Sequence, residues 1–582
     1  MFLGVCIVLS LFAAQLLRLQ ALDASAMAKE ALGSRETTHK LQALRGDILD
    51  RYGVPLATSV ERFNVSVDQR VVCLYQQLSA ARLECGGTDP RAAEGVEKAV
   101  LALSPLLGID TTVLTQRLTG TRGFAYVKKG VTPEVWRAVS ELDVPGVYGE
   151  RTSDRLYPAG SVGASVIGFV GADNVTPRGG LELRLNSELT GTDGSVTYQR
   201  DPSGRQIATS EISRKDAVDG EDVRLTLDRD LQWKAEQAID AKVAESGALS
   251  GTLVVMKRDG EILALANAPS FDPNDTSASA MKNLANRALS DVYEPGSTGK
   301  VMTFAAALQQ RVITPTTPMT VNGHIKRAGK VFHDSHDHGP ERLTAAGVLA
   351  KSSNVGTIMI GEKLSPSTMY GYLTKFGIGQ PSGLDFPGES RGILAKPQDW
   401  SGSQRYTVLF GQGLSVNAVQ AAGVFQTIAN DGVRMPPRLI EGVQQPDGTV
   451  AKATPQAGVR VVSAETAATV RTMLEGVVSA EGTAPEAKVP GYRVAGKTGT
   501  AQRFDPTCGC YRGYTASFIG MAPADDPQLI VAVTLQRPVK GHYGGSLAGP
   551  VFKQIMSYAL QKLQIPPTGT KAPTISLVPG DG

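Results

Sequence analysis

Residues 293–300 have the sequence Tyr-Glu-Pro-Gly-Ser-Thr-Gly-Lys. Pro295 and Gly296 indicate that a helix starts here, so Ser297 and Lys300, three residues apart, would lie on one helix face. A serine hydroxyl is a poor nucleophile until a base takes its proton, and a desolvated lysine near positive charge can be that base. The free N–H groups of a helix start can also bind an oxyanion. The octapeptide therefore predicts a nucleophile, Ser297, with Lys300 as its base.

A serine three residues before a lysine is a weak signal on its own. A chain of 582 residues should contain about two such pairs by chance. A second pair, Ser279 and Lys282, is present in a polar stretch that is typical of a loop. The prediction therefore depends on additional motifs elsewhere in the chain.

Two such motifs lie on the carboxyl-terminal side of Ser297. Ser352-Ser353-Asn354 offers a hydroxyl that can relay a proton and an amide that can hold lysine and substrate, although a polar helix cap also explains such a run. Ser415-Val-Asn417 has the same spacing and is a decoy. Gly496-Lys-Thr-Gly-Thr500 is more specific, with about one chance occurrence per hundred such chains. Its lysine and threonines can bind a carboxylate, and its glycine permits close approach of a substrate backbone.

The order S-x-x-K, S-x-N, K-T-G occurs in β-lactamases and penicillin-binding proteins. Over nearly its whole length the chain resembles the class B penicillin-binding proteins, the monofunctional D,D-transpeptidases of peptidoglycan synthesis. The other segments that carry this resemblance are Arg45-Gly-Asp-Ile-Leu-Asp-Arg-Tyr-Gly53, Arg155-Leu-Tyr-Pro-Ala-Gly160, Gly168-Phe-Val-Gly171, Gly180-Leu-Glu182 and Gly411-Gln-Gly413. Residues 508–520, Cys-Gly-Cys-Tyr-Arg-Gly-Tyr-Thr-Ala-Ser-Phe-Ile-Gly, are similar to the division-type members of actinobacteria, which make septal wall.

The resemblance implies ping-pong acyl transfer. A stem peptide ending in D-Ala-D-Ala acylates the serine and releases D-alanine, and an amine of a neighbouring stem peptide then takes the acyl group. β-Lactams would mimic the donor, and no cofactor or metal is implied. By motif, the catalytic residues are Ser297, Lys300, Ser352 and Asn354, and the substrate-binding residues are Lys497, Thr498, Gly499 and Thr500. The backbone N–H groups of Ser297 and Thr500 would form the oxyanion hole.

The implied partners are lipid II-derived peptidoglycan strands, a membrane glycosyltransferase and division proteins. Two other functions fit the same motifs. The first is a β-lactam sensor or hydrolase, against which stand the long N-terminal region and the lack of a recognisable deacylating Glu motif. The second is a catalytically idle scaffold of the division machinery, against which stand three intact motifs.

Composition limits the other possibilities. Of the 582 residues, 42% are hydrophobic and 20% are charged, which excludes a mostly disordered or fibrous chain. With 59 Lys and Arg against 56 Asp and Glu, the net charge is only +3. A balance so close to neutral gives no support to nucleic-acid binding.

The amino terminus is apolar. Residues 1–17 carry no charge before Arg18, which predicts a single-pass membrane anchor over residues 1–20 with the catalytic domain outside the cytoplasm. A cleaved signal peptide ending at Ala24-Ser25-Ala26 is the alternative, and both export the remaining chain. No basic residue precedes Arg18, which indicates that the true start lies upstream or that the segment was cut there.

The remaining chain predicts an α+β fold. Residues 35–215 are rich in strands and turns, and the resemblance makes them an elongated pedestal. In residues 222–563 a strand pair is predicted at each end, residues 253–256 with 262–266 around the turn Asp259-Gly260, and residues 517–521 with 529–535. Helices are predicted between them, and a terminal helix over about residues 551–563. This order predicts an antiparallel sheet closed by N- and C-terminal strands. Residues 566–582 are rich in Pro, Gly and Thr and predict a flexible tail.

Five cysteines are present, and four of them form two close pairs, Cys73 with Cys85 and Cys508 with Cys510. Free thiols and disulfides both fit, because connectivity cannot be deduced from sequence; Cys73 with Cys85 is the better structural candidate. His333-Asp-Ser-His-Asp-His338 contains legitimate zinc ligands, although a solvated turn explains the segment more simply. We predict no metal there, because the serine mechanism needs none.

Overall fold

A computed structural model describes residues 2–18, 36–77, 84–85, 89–199, 207, 209–445, 447–454, 456–505 and 507–580. The chain divides into two compact units. The first unit comprises Met1–Gly46, Thr58–Leu156 and Ser187–Glu221, and the second comprises Asp47–Ala57, Tyr157–Asn186 and Asp222–Gly582.

Helices and strands are numbered along the chain. The helices are α1 Phe2–Leu17, α2 Pro90–Leu107, α3 Thr111–Leu118, α4 Pro133–Glu141, α5 Ala164–Ile167, α6 Gly180–Arg184, α7 Asn186–Leu189, α8 Arg229–Ser246, α9 Arg287–Ser290, α10 Lys300–Gln309, α11 Ala345–Ala350, α12 Asn354–Gly361, α13 Pro366–Lys375, α14 Gln404–Thr407, α15 Ala418–Ala429, α16 Ala464–Val478 and α17 Gly544–Lys562. The strands are β1 Glu36–Leu41, β2 Ile48–Leu49, β3 Pro55–Val67, β4 Ala125–Val131, β5 Val147–Leu156, β6 Gly194–Gln199, β7 Ser213–Lys215, β8 Asp222–Leu225, β9 Ser250–Lys257, β10 Ile262–Ala268, β11 Pro318–Val321, β12 His324–Arg327, β13 Lys330–His333, β14 Glu341–Thr344, β15 Val433–Arg434, β16 Ile440–Gln444, β17 Val450–Lys452, β18 Val459–Arg460, β19 Ala495–Asp505, β20 Cys510–Ala522 and β21 Leu529–Gln536.

The core of the first unit is a cluster of buried apolar side chains. Antiparallel pairing of β3 with both β4 and β5 forms a sheet, and α2, α3 and α4 contribute apolar side chains to the core beside it. Val65, Leu103 and Leu114 are fully buried there. Cys73, also fully buried, forms a disulfide with Cys85. This bond matches the better of the two cysteine pairings suggested by the sequence.

The second unit is built on an antiparallel sheet in the order β10-β9-β21-β20-β19. It confirms the predicted strand pairs, with Val254 opposite Leu265 in one and Phe518 opposite Val533 in the other. Residues of the central strands β9 and β21 are almost all buried, so both faces of the sheet are covered. The helices α8 and α17 pack on the sheet and on each other, and α15 and α16 form a second packed group. β19 is left at the edge, where its outer backbone groups are open to a ligand.

Two segments lie in a different unit from the one that the sequence boundaries imply. Asp47–Ala57 and Tyr157–Asn186 fall inside the predicted pedestal range, but they belong to the second unit. The cause is a set of hydrogen bonds between residues distant in sequence. Gly163 N donates to the carboxylate of Glu236 at 2.9 Å, and Asn267 donates to Ser165 Oγ at 2.8 Å.

The carboxyl-terminal segment is packed, whereas its composition predicts a flexible tail. Thr344 N donates to Leu577 O at 3.0 Å, and its hydroxyl donates to Ser576 O at 2.7 Å. Leu577 itself is buried. The few apolar residues of this Pro-, Gly- and Thr-rich segment therefore anchor it to the second unit. Residues 581–582 lie outside the described residues.

The amino-terminal segment forms α1, an uncharged helix of 16 residues with no buried side chain. Met1 and residues 19–20 of the predicted anchor lie outside the described residues. Among the residues that the structure describes, no helix combines the length and the apolar character needed to cross a membrane.

Candidate active site

Ser297 lies on a one-turn 3-10 helix, Gly296–Gly299, which continues directly into α10. The turn is seated on the segment that contains Gly411, since Gly296 N donates to Gly411 O at 2.9 Å. Gly411 has a φ of +81°, and a Cβ on it would lie 2.1 Å from Gly296 O. Position 411 therefore requires glycine, because any other residue would place its Cβ against the backbone of the turn that contains the predicted nucleophile.

Lys300 is fully buried one turn after Ser297. Its Nζ donates to the carbonyl oxygen of Ser352 and lies 3.3 Å from Ser352 Oγ. Among the described residues, no hydrogen bond joins Lys300 Nζ to the hydroxyl of Ser297. The structure thus brings the predicted base to the second motif.

Ser352 lies between α11 and α12 with a φ of +62°, a left-handed conformation that is uncommon for serine. The next residue, Ser353, caps α12 by accepting a hydrogen bond from Gly356 N at 2.9 Å. Asn354 Nδ2 donates to His333 O at 3.0 Å. The motif is therefore a helix cap, which is the alternative that the sequence leaves open. It also places the Ser352 hydroxyl near Lys300.

Lys497 approaches the same hydroxyl from β19. It is fully buried, and its Nζ is 2.8 Å from Ser352 Oγ. Ser352 Oγ therefore lies between two lysine amino groups, one from each of the other predicted motifs. This convergence joins residues that are about 50 and 150 positions apart in the chain.

The rest of the third motif lies beyond Lys497 along β19. The hydroxyls of Thr498 and Thr483 are 2.9 Å apart, and Thr500 Oγ1 accepts from Gly544 N at 3.2 Å. A Cβ on Gly499 would lie 2.3 Å from Ser517 Oγ and 3.0 Å from the carbonyl oxygen of Pro295. The protein's own packing thus requires glycine at position 499. This reason is additional to the close approach of a substrate backbone that the sequence predicts.

Burial changes the proton affinity of both lysines. It lowers the pKa of Lys300 to about 7, an effect that the negative charge of Asp334 opposes. Burial and the charge of Lys300 together hold the pKa of Lys497 well below its ordinary value. The pKa of Lys300, lowered by desolvation, is the property that the sequence prediction requires of a lysine base, and its role as the base stays a prediction.

Ser297, Ser352, Asn354, Thr498 and Thr500 all line one cleft of about 630 Å³. Several other lining residues carry no motif in the sequence, and they come from loops and from the start of α17. Four rings also line it in a continuous row, each within about 6 Å of the next: His336, Tyr543, His542 and Tyr514. The sequence predicts this terminal helix from about Val551, whereas α17 begins at Gly544, because its two initial glycines and Pro550 hide the earlier start.

Glu294, in the octapeptide around Ser297, is a further residue that the sequence did not identify as part of the site. Its Oε1 accepts from Gly413 N at 2.9 Å and from the Tyr511 hydroxyl at 3.1 Å. Burial raises the pKa of this carboxyl. Tyr511 is next to Cys510, which forms a disulfide with Cys508. The disulfide-closed end of the β19–β20 hairpin therefore contacts Glu294, two residues before the turn that contains Ser297.

The histidine-rich segment borders the cleft. His338 Nε2 lies 3.1 Å from Asp334 Oδ2, and the His336 ring stacks on Tyr543. Within the described ranges, no group of three or more His, Cys, Asp or Glu side chains could hold a metal ion. Of the decoys, Ser279 comes directly after a short 3-10 helix, and the Lys282 side chain lies outside the described residues.

Known protein families match both parts of the chain. The penicillin binding protein transpeptidase domain matches residues 251–557, which contain all three motifs. The penicillin-binding protein dimerisation domain matches residues 40–225. These two matches together cover most of the chain.

Named relatives and a solved structure agree. The chain is 37% identical to the penicillin-binding protein PbpB of Mycolicibacterium smegmatis over 99% of its own length and 91% of that protein. It is 32% identical to the peptidoglycan D,D-transpeptidase FtsI of Escherichia coli K12, over 94% of its length and 89% of that protein. The crystal structure of penicillin binding protein 3 from Mycobacterium tuberculosis, complexed with aztreonam, is similar with a TM-score of 0.71 and 33% identity, covering 93% of this chain and 99% of the other.

Proposed function

Because the chain belongs to the penicillin-binding proteins, with a transpeptidase domain, we propose that it cross-links peptidoglycan stem peptides as a serine D,D-transpeptidase. The observation that carries the proposal is the meeting of two buried lysines at Ser352 Oγ, in the cleft that also contains Ser297. No metal or cofactor takes part in the proposed reaction.

Acylation is the first half of the reaction. Ser297 Oγ attacks the carbonyl carbon of the penultimate D-alanine, and its proton passes to neutral Lys300. Through the Ser352 hydroxyl, a proton then reaches the departing amine, so the peptide bond breaks and D-alanine leaves. An ester now joins the donor peptide to Ser297. The backbone N–H groups of Ser297 and Thr500 stabilise the oxyanion of the intermediate.

Donor binding uses the third motif. Lys497, Thr498 and Thr500 offer an amino group and two hydroxyls along the edge strand, which suits the terminal carboxylate of the donor. Gly499 keeps this strand close to the nucleophile turn, and Asn354 orients the donor peptide from the other side of the cleft. In the second half of the reaction, an amine of a neighbouring stem peptide attacks the ester and regenerates Ser297.

The cellular setting is also proposed. The similarity to FtsI and PbpB supports a role in septal wall synthesis beside a membrane glycosyltransferase and division proteins. The uncharged, exposed helix α1 supports attachment to the membrane with the catalytic domain outside the cytoplasm. β-Lactams would acylate Ser297, as the aztreonam complex of a relative suggests. Deleting residues 2–18 should move the protein from the membrane fraction to the soluble fraction; an unchanged distribution would contradict the anchor.

The activity is tested with a donor peptide that ends in D-Ala-D-Ala and an amine acceptor. We expect the wild type to release D-alanine and to form the transferred product, and Ser297→Ala to do neither. D-alanine release without any transferred product would favour the hydrolase. Neither reaction by the folded wild type would favour the idle scaffold.

A further inference from the structure

Asp334 lines the cleft, and neither the motifs nor the proposed reaction gives it a role. Its Oδ2 accepts from Ser353 Oγ at 2.7 Å, and its Oδ1 accepts from Val355 N at 3.0 Å. His338 Nε2 lies 3.1 Å from Oδ2, and the Asp334 side chain is only 8% exposed. The carboxylate is thus buried and held by three groups.

Two of these contacts fix the start of α12. Ser353 is the cap of that helix, and a carboxylate at a helix N-terminus is favoured by the helix dipole. Ser352, the preceding residue, has a left-handed backbone that persists only where the surroundings impose it. Asp334 therefore restrains the turn that keeps Ser352 Oγ between the two lysines.

The same carboxylate acts on Lys300 by its charge. Its field favours the protonated amine, against the effect of burial. Lys497 is the other titratable group beside Lys300. The titratable neighbour of Asp334 itself is His338, whose pKa is raised by its hydrogen bond with this carboxylate. His338 faces Glu341 at 3.9 Å, and Glu341 in turn contacts Lys351 at 3.3 Å.

We propose that Asp334 is a positioning residue of the transpeptidase site, which fixes the turn that keeps Ser352 Oγ within reach of Lys300 and Lys497. This inference rests on the proposed function, because it concerns the same acylation of Ser297. Asp334 does not touch the reacting atoms and acts only through Ser353, Val355 and Lys300.

The test compares Asp334→Asn with Asp337→Asn, which removes the same charge from an exposed position three residues later. The measurement is the rate constant for labelling by a fluorescent penicillin across a range of pH. We expect D334N to label about tenfold more slowly or worse, since a buried charged hydrogen bond is weakened. The acid limb of the profile, which is the fall in labelling rate at low pH, should also move to lower pH. The substitution removes the negative charge of Asp334, which favours the protonated form of Lys300. D337N should match the wild type in both respects.

A second variant separates position from charge. Ser353→Ala keeps the carboxylate and removes one of its donors, so we expect slower labelling with the acid limb unmoved. It also keeps the inference testable if D334N does not fold. Wild-type rates in S353A would overturn the positioning role.

The possible failures are distinguishable. If folded wild-type protein is not labelled at any pH, the proposed function and this inference both fail. If the wild type is labelled and the D334N profile superimposes on that of D337N, only the role of Asp334 is overturned. A loss of rate in D334N with no movement of the acid limb would overturn the charge effect.

Discussion

The core of the first unit and the floor of the cleft are both closed to water, but they bury opposite kinds of side chain. In the first unit the fully buried residues include Val65, Leu103 and Leu114. Next to the cleft they are Lys300 and Lys497, which contact the lining residue Ser352. Burial of apolar area contributes about 25 cal/mol per Å² to folding, whereas burial of an amino group costs free energy unless its charge is lost or paired. Burial therefore stabilises the first region and changes the proton affinity of the second.

The largest expected effect comes from Lys300→Met, which makes the cleft floor resemble the apolar core. Penicillin labelling should fall about 10²–10⁴-fold, the usual contribution of a general base. The melting temperature should be unchanged or higher, because a buried amino group is removed. Lys351→Met is the matched control, because Lys351 is exposed and directly precedes Ser352, and this variant should be labelled at the wild-type rate. Rapid labelling of K300M would show that Lys300 is not the base.

Leu103→Ala is the converse change, made in the apolar core. Loss of a fully buried leucine should lower the free energy of unfolding by about 2–5 kcal/mol, measured by denaturant titration. Labelling per folded molecule should stay at the wild-type rate. Leu101→Ala, at an exposed position of the same helix, is the control. An equal loss of stability in both variants would contradict the assignment of the core.

The pH dependence of labelling tests the altered proton affinity directly. The pKa of Lys300 is lowered to about 7, so its neutral form predominates above that pH and is lost below it. The labelling rate should fall about tenfold per pH unit below pH 7 and level off above it. Stopped-flow labelling across this range measures it. A labelling rate that begins to fall near the ordinary pKa of lysine would mean that Lys300 is not desolvated in solution.

The smallest effect is expected from the disulfide beside the cleft. Cys508→Ser with Cys510→Ser opens only a three-residue loop, so the free energy of unfolding should fall by at most about 1.6 kcal/mol, with a few-fold change in labelling through Tyr511 and Glu294. Cys73→Ser with Cys85→Ser should cost about 2–3 kcal/mol, because that disulfide closes a longer loop. Thermal melts of both double variants would decide. A larger loss of stability in the Cys508/Cys510 double variant than in the Cys73/Cys85 double variant would contradict this prediction.

Local pattern was sufficient to predict much of the second unit. The apolar runs and turn signals of residues 253–266 and 517–535 predict strand pairs of its sheet. The ordered motifs also predict which residues share the cleft. Both results arise from signals carried within short segments, or from the order of those segments along the chain.

The rest depends on contacts between distant residues. The left-handed backbone of Ser352 has no sequence signal, because serine rarely adopts it, and Asp334 resembles a metal ligand until its hydrogen bonds to Ser353 and Val355 are seen. The assignment of Tyr157–Asn186 to the second unit likewise depends on long-range hydrogen bonds. The packed carboxyl-terminal segment is anchored by Leu577, which its surrounding composition conceals.

The central claim is that Ser297 is the residue acylated in the cleft. The most direct measurement incubates the full-length protein with a fluorescent penicillin beside Ser297→Ala and the decoy variant Ser279→Ala. We predict covalent label on the wild type and on S279A, and none on S297A. Label that persists on S297A, or is lost from S279A, would contradict the claim.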